Sequence, residues 1–241
     1  MYIILISANT EWQAVKLLFP GVNMAQSPYG EWFQATLGIQ ENSSSVIFFH
    51  GGWGKIAAAG STQYVIDRWK PELIINMGTC GGFEGEVKRG TILLVDRTIV
   101  YDIYEQMGDH DTHIAHYTTE LDLSWLSEPY PSPVQRTLLV SGDRDLFANE
   151  VPNLQSEYGA IAGDWESGAI AWVAKRNGVA ALILRGVSDL VGPAGGEAYD
   201  GSMEVFHQNA KTIMGQLVEV LPHWLKQWED LKKQVSDQDR G

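Results

Sequence analysis

Four apolar residues, Val46-Ile47-Phe48-Phe49, run into Gly51-Gly52-Trp53-Gly54, then a stretch of helical character to residue 69, then Leu73-Ile74-Ile75. Short runs of β-branched and aromatic residues suit strands, and the stretch between them is long enough for a helix. The unit therefore reads strand, turn, helix, strand. A crossover of this kind joins parallel strands with right-handed sense and commits the chain to an α/β architecture. The alternation recurs, with strands expected at 2–8, 31–38, 45–50, 73–77, 91–100, 137–141 and 180–187 and helices at about 11–18, 54–69, 166–176 and 203–221. Tyr29-Gly30 supplies a turn between the early strands.

With 241 residues, 44% of them hydrophobic, and no shift of composition along the chain, one domain over residues 1–235 is expected, with 236–241 as a frayed tail. No repeat of solenoid or propeller period is present. Residues 101–135, rich in His, Asp, Tyr, Ser and Pro, read as a long excursion from the sheet edge. Pro222 should break or kink the last helix, after which Trp224, Leu225, Trp228 and Leu231 recur at helical spacing and read as packing.

The net charge of −13 argues against nucleic acid or an anionic membrane as partner and favours a small or neutral ligand. Cys80 is the single cysteine, so no intrachain disulfide can form and a reducing, cytoplasmic setting is expected. The opening Met1 to Ala8 has no basic leader or cleavage site and reads as a first core strand. No apolar run approaches the roughly 20 residues of a spanning helix.

Chemistry is concentrated where strands end. Asp164 and Glu166 precede a small-residue helix, and Asp189 follows the apolar run Ala181 to Leu184. In open α/β sheets ligands bind beyond the carboxyl ends of the strands. Gly52-Trp53-Gly54 resembles the glycine pattern of a dinucleotide fold, but the next strand runs into Met77-Gly78-Thr79 and lacks the required acid. Asn76 to Gly82 places three glycines in five residues after an apolar strand and reads as a binding turn. Asp109-His110-Asp111-Thr112-His113 and His116 have metal-ligand types without the spacing of a zinc motif, so no metal is assigned. Glu11 follows the first strand; it either stabilises the first turn of a helix capped by Asn9 or Thr10, or serves a site there. Asp143 ends another strand, where a turn-forming Asp is the alternative.

Five segments in order, Gly54-Lys55-Ile56-Ala57-Ala58-Ala59, Asn76 to Gly82, Val140-Ser141-Gly142-Asp143, Asp164-Trp165-Glu166 and Arg185 to Asp189, resemble the nucleoside phosphorylase and nucleosidase superfamily over most of residues 1–220. The closest branch is the 5′-methylthioadenosine/S-adenosylhomocysteine nucleosidases. The resemblance implies a three-layer nucleoside phosphorylase-like fold, with a central mixed, largely parallel sheet flanked by helices, and a purine nucleoside N-ribohydrolase that needs no cofactor. Its substrates would be 5′-methylthioadenosine, S-adenosylhomocysteine or 5′-deoxyadenosine, and its partner a second copy in a homodimer or larger homo-oligomer. Phosphorylases of the superfamily hold phosphate with arginines, one at the position of Asn76 here, and an uncharged Asn supplies no anion-binding fork. Phosphorolysis, hydrolysis of another purine nucleoside, and a non-catalytic nucleoside binder are the alternatives.

By the same resemblance, Asp189 is the general acid toward the purine, with Ser188 orienting it, and Glu166 holds the ribose hydroxyls. Glu11 is the base that activates water. Leu146 and Phe147 represent the base-stacking region, with Phe147 as the stack. Gly54, Thr79 and Trp165 complete the binding set, and Trp53, Tyr199 and Phe206 are weaker wall candidates. Two departures stand out. Trp165 occupies the place of the family's usual Met, and relatives place the base one residue later, where this chain has Trp12.

Overall fold

The computed structural model describes residues 1–39, 42–199 and 203–238. Strand β1 (Tyr2–Ile6) leads into helix α1 (Asn9–Leu18), and β2 (Ala25–Gln26), β3 (Glu31–Ile39) and β4 (Asn42–His50) follow as a meander. Helix α2 (Lys55–Trp69) returns the chain to β5 (Leu73–Phe83) and β6 (Ile92–Val100). The polar excursion contains α3 (His110–His116) and β7 (Thr118–Glu120), after which come β8 (Gln135–Ser141), α4 (Val151–Tyr158) and β9 (Ala162–Asp164). Helix α5 (Ser167–Arg176), β10 (Ala180–Gly192), β11 (Gly195–Gly196) and α6 (Met203–Gln238) complete the described chain.

The strands form one mixed sheet in which β1 lies between β4 and β5, parallel to both. The predicted crossover thus joins parallel strands, with β1 inserted between them. The long pairings β5–β10 and β6–β8 are also parallel. Antiparallel pairs β6–β10 and β5–β9 curl part of the sheet back on itself. Alternation in β1 fixes the layers. Ile4 and Ile6 join Phe33, Phe48, Leu217, Leu221 and Trp224 beneath α1 and α6, whereas Ile3 and Leu5 join Phe49, Val65 and Ile170 beneath α2 and α5.

Two expectations need correction. Helix α6 is not broken at Pro222. The missing hydrogen bond and ring clash cost about 3 kcal/mol, but Leu221, Trp224 and Leu225 are all at most 2% exposed, and burying each such side chain contributes about 1.5–3 kcal/mol. The Asn76 to Gly82 segment is not a turn but the second half of β5. Its glycines serve close approach, for a Cβ on Gly78 would overlap the Arg185 Nη1 and stand 2.8 Å from the Glu11 Oε1. Helix α6 runs through residues 236–238 of the segment expected to fray, and 239–241 lie outside the described residues.

Candidate active site

A cleft of about 520 Å³ opens where β5, β9 and β10 end, beside the first turn of α1. Glu11, Glu166 and Asp189, far apart in sequence, share its wall with Thr79, Leu146 and Trp165. Each acid is set by a local device. Glu11 lies in the first turn of α1, where its Oε2 accepts from the Ala8 amide at 3.3 Å and so helps cap its own helix. Its Oε1 accepts from the Thr79 amide at 2.6 Å and the Thr79 hydroxyl at 2.8 Å. The helix-stabilising reading of this residue therefore holds, with Ala8 as the cap rather than Asn9 or Thr10, and the same carboxylate lines the cleft. Burial raises the Glu11 pKa, opposed by Arg185 and by the bonds from Thr79.

Glu166 precedes α5, and its Oε1 accepts from the Gly54 amide at 2.9 Å. Gly54, expected in the binding set, has φ of 85°, a conformation that glycine adopts freely and that presents this amide to Glu166. Burial, then the neighbouring Asp164, pushes the Glu166 pKa well up. Asp189 owes its direction to a bulge. Val187 pairs with Cys80 and Asp189 with Gly81, leaving Ser188 as the extra residue that turns the acid into the cleft. Its pKa is raised by burial and drawn down by the Ser188 hydroxyl, which donates to Oδ1 at 2.5 Å.

Beneath the cleft lies a network that sequence reasoning did not resolve. Arg185, fully buried in β10, pairs with Asp164 at 2.8 Å and donates to Ser167 Oγ at 2.9 Å and to Asn76 Oδ1 at 2.7 Å. Asp164 also accepts from the Ser141 hydroxyl at 2.6 Å and from the Ser167 amide and hydroxyl. The signal was an arginine inside an otherwise apolar strand, which must find a buried counter-charge. Asn76 is thus a structural residue, donating in addition to the Leu5 carbonyl at 2.9 Å.

Phe147 is the residue expected to stack on a base. It is 51% exposed, stands off the cleft wall, and has the Arg144 guanidinium 5.4 Å from its ring centroid. Leu146, one residue earlier, is drawn inward to pack with Phe83, Val140 and Val191, which turns the next side chain out. Trp53 and Phe206 do line the cleft, as do Cys80 and Asp145, which sequence reasoning had not singled out; the Tyr199 side chain lies outside the described residues. The segment with His110, His113 and His116 forms α3, where His113 faces Glu105 at 3.6 Å. Among the described lining residues the cleft carries five carboxylates and no Lys or Arg. Such a wall offers an anion no cation to bind and carries groups that can hold or move a proton.

The model of the phosphorylase superfamily matches residues 25–221 of the chain. The chain is similar to 5′-methylthioadenosine/S-adenosylhomocysteine nucleosidase of Marinomonas sp. (strain MWYL1), 24% identical over 185 residues that cover 72% of this chain and 80% of that protein. It is similar also to the nucleosidase of that name from Buchnera aphidicola subsp. Acyrthosiphon pisum (strain APS), 29% identical over 158 residues, covering 61% and 68%. Among solved structures, that of the Helicobacter pylori 5′-methylthioadenosine/S-adenosylhomocysteine nucleosidase with butyl-thio-DADMe-Immucillin-A has a TM-score of 0.72 at 20% identity, covering 92% of this chain and 97% of that one. The structural likeness is one of fold.

Proposed function

The chain belongs to the phosphorylase superfamily, and from that premise we propose that it hydrolyses the bond between adenine and ribose in 5′-substituted adenine nucleosides. The substrate class comprises 5′-methylthioadenosine, S-adenosylhomocysteine and 5′-deoxyadenosine. The observation that carries the reading is the convergence of Glu11, Glu166 and Asp189 on one cleft whose described wall has no basic residue. Phosphorolysis needs a cationic cradle for phosphate. Arg185, beneath the cleft, is buried and paired with Asp164.

In this reading the purine lies toward Asp189. A carboxyl whose pKa is raised by burial keeps its proton to higher pH, and it passes that proton to the seven-position nitrogen as the glycosidic bond lengthens. The sugar then acquires oxocarbenium character, as in glycoside hydrolysis. Glu166, anchored by Gly54 through one oxygen, takes hydrogen bonds from the ribose hydroxyls with its remaining acceptor capacity. Glu11 orients a water and accepts its proton as the oxygen bonds to the anomeric carbon, and burial makes it the stronger base. Adenine and a 5′-substituted ribose leave, and a proton returns from Glu11 to Asp189 through solvent. We also propose a homodimer, since Ile56, Tyr104 and Met107 are 89%, 77% and 96% exposed on segments that Lys55 and Asp102 tie together by an ion pair.

Asp189→Asn tests the assignment. It should lower kcat about 10²- to 10⁴-fold while nucleoside binding by calorimetry and the circular dichroism spectrum persist. Turnover within a few-fold of wild type would refute the acid.

A further inference from the structure

Two tryptophans border the cleft beside the acid assigned to the sugar. Trp165 directly precedes Glu166, and Trp53 directly precedes Gly54, whose amide holds Glu166. Both indoles line the cleft, with centroids 5.7 Å apart and planes inclined at 60°. A ring inserted between them would need about 3.5 Å of clearance on each side, which this spacing does not give. The pair is therefore one folded apolar wall and not a slot. Trp53 is 61% exposed in the single chain, so a large aromatic surface stands on the rim of the site.

In a nucleoside the 3′ and 5′ carbons are both bonded to the 4′ carbon, so a group that binds the 3′-hydroxyl has the 5′ substituent as its neighbour. Asp189, from β10, takes the opposite end of the molecule. Whatever hangs from the 5′ carbon meets Trp53 and Trp165. A charged amino-acid tail would lose water against the indole faces, and its carboxylate would find no cation on the described wall. A flat apolar group would cover the exposed indole and gain from both burial and ring contact.

Resting on the nucleosidase reading, we propose that Trp53 and Trp165 select adenine nucleosides with an aromatic or broad apolar 5′ substituent over those with a methylthio group or a charged homocysteine tail. The test compares adenine release from 5′-phenylthio-5′-deoxyadenosine, 5′-methylthioadenosine and S-adenosylhomocysteine by the wild-type protein, Trp53→Ala and Trp165→Met. Wild-type kcat/KM should be about tenfold or more higher for the phenylthio substrate than for the methylthio one, and lowest for S-adenosylhomocysteine. In each variant the phenylthio-to-methylthio ratio should fall several-fold, mainly through KM. A wild-type ratio near one, or a ratio that neither substitution changes, overturns the proposal while leaving the nucleosidase reading intact. Absence of adenine release from all three substrates overturns both. The wild-type comparison does not depend on how any variant folds.

Discussion

At the scale of single residues, the three acids differ in what holds them, and the difference is measurable. Asp189 is buried with Ser188 as its donor. That bond favours the ionised form, so Ser188→Ala raises the Asp189 pKa further. With Asp189 as the proposed general acid, turnover would require its protonated form, and the alkaline limb of the kcat–pH profile should move to higher pH in this variant; a shift to lower pH, or none, would remove Ser188 from the account. The same linkage governs stability. A carboxyl whose pKa is raised on folding contributes stability below its unfolded pKa that is lost as pH rises through the folded value. Asp189→Asn should therefore be at least as thermally stable as wild type at neutral pH. The residue types at this scale were legible: acids at strand ends and helix starts pointed to Glu11, Glu166 and Asp189. Their orientation was not, because the bulge at Ser188 and the inward turn of Leu146 depend on partners distant in sequence.

At the scale of elements, β10 carries the site on a buried ion pair. The strand was expected to end at 187 and runs to Gly192, since after the bulge it keeps pairing with β5 as far as Phe83. Arg185→Met leaves Asp164 buried without its cation, and the loss should be about 3–5 kcal/mol, read as a lower urea midpoint. Adding Asp164→Asn should recover part of it, because no uncompensated charge is then buried while the amide oxygen still accepts from Ser141 or Ser167. A cost below about 1 kcal/mol for the single change would show that the pair does not hold the strand. Of the elements themselves, those with a full period were readable. Strands β2, β7, β9 and β11 have two or three residues each and are too short to show one. Helices α3 and α4 lie in polar stretches where capping and tertiary contact decide, as with Asp109 accepting from the Asp111 amide at 3.2 Å.

At the scale of the whole molecule, the order of apolar runs conveyed the α/β class, but not the curl of the sheet through β6–β10 and β5–β9, which brings residues from β5, β9 and β10 to one cleft. Pairing of that kind is a long-range property that local pattern does not encode. The exposed Ile56, Tyr104 and Met107 lead to a further expectation: light scattering should give twice the mass of one chain, and the mass of a single chain at micromolar concentration would remove the proposed second copy. The central claim, hydrolysis in an acidic cleft without a phosphate site, is tested most directly by supplying 5′-methylthioadenosine in phosphate-free buffer and identifying both products. The account predicts free adenine and 5-methylthioribose, at a rate unchanged when phosphate is added. Turnover that depends on phosphate and yields 5-methylthioribose 1-phosphate would contradict it.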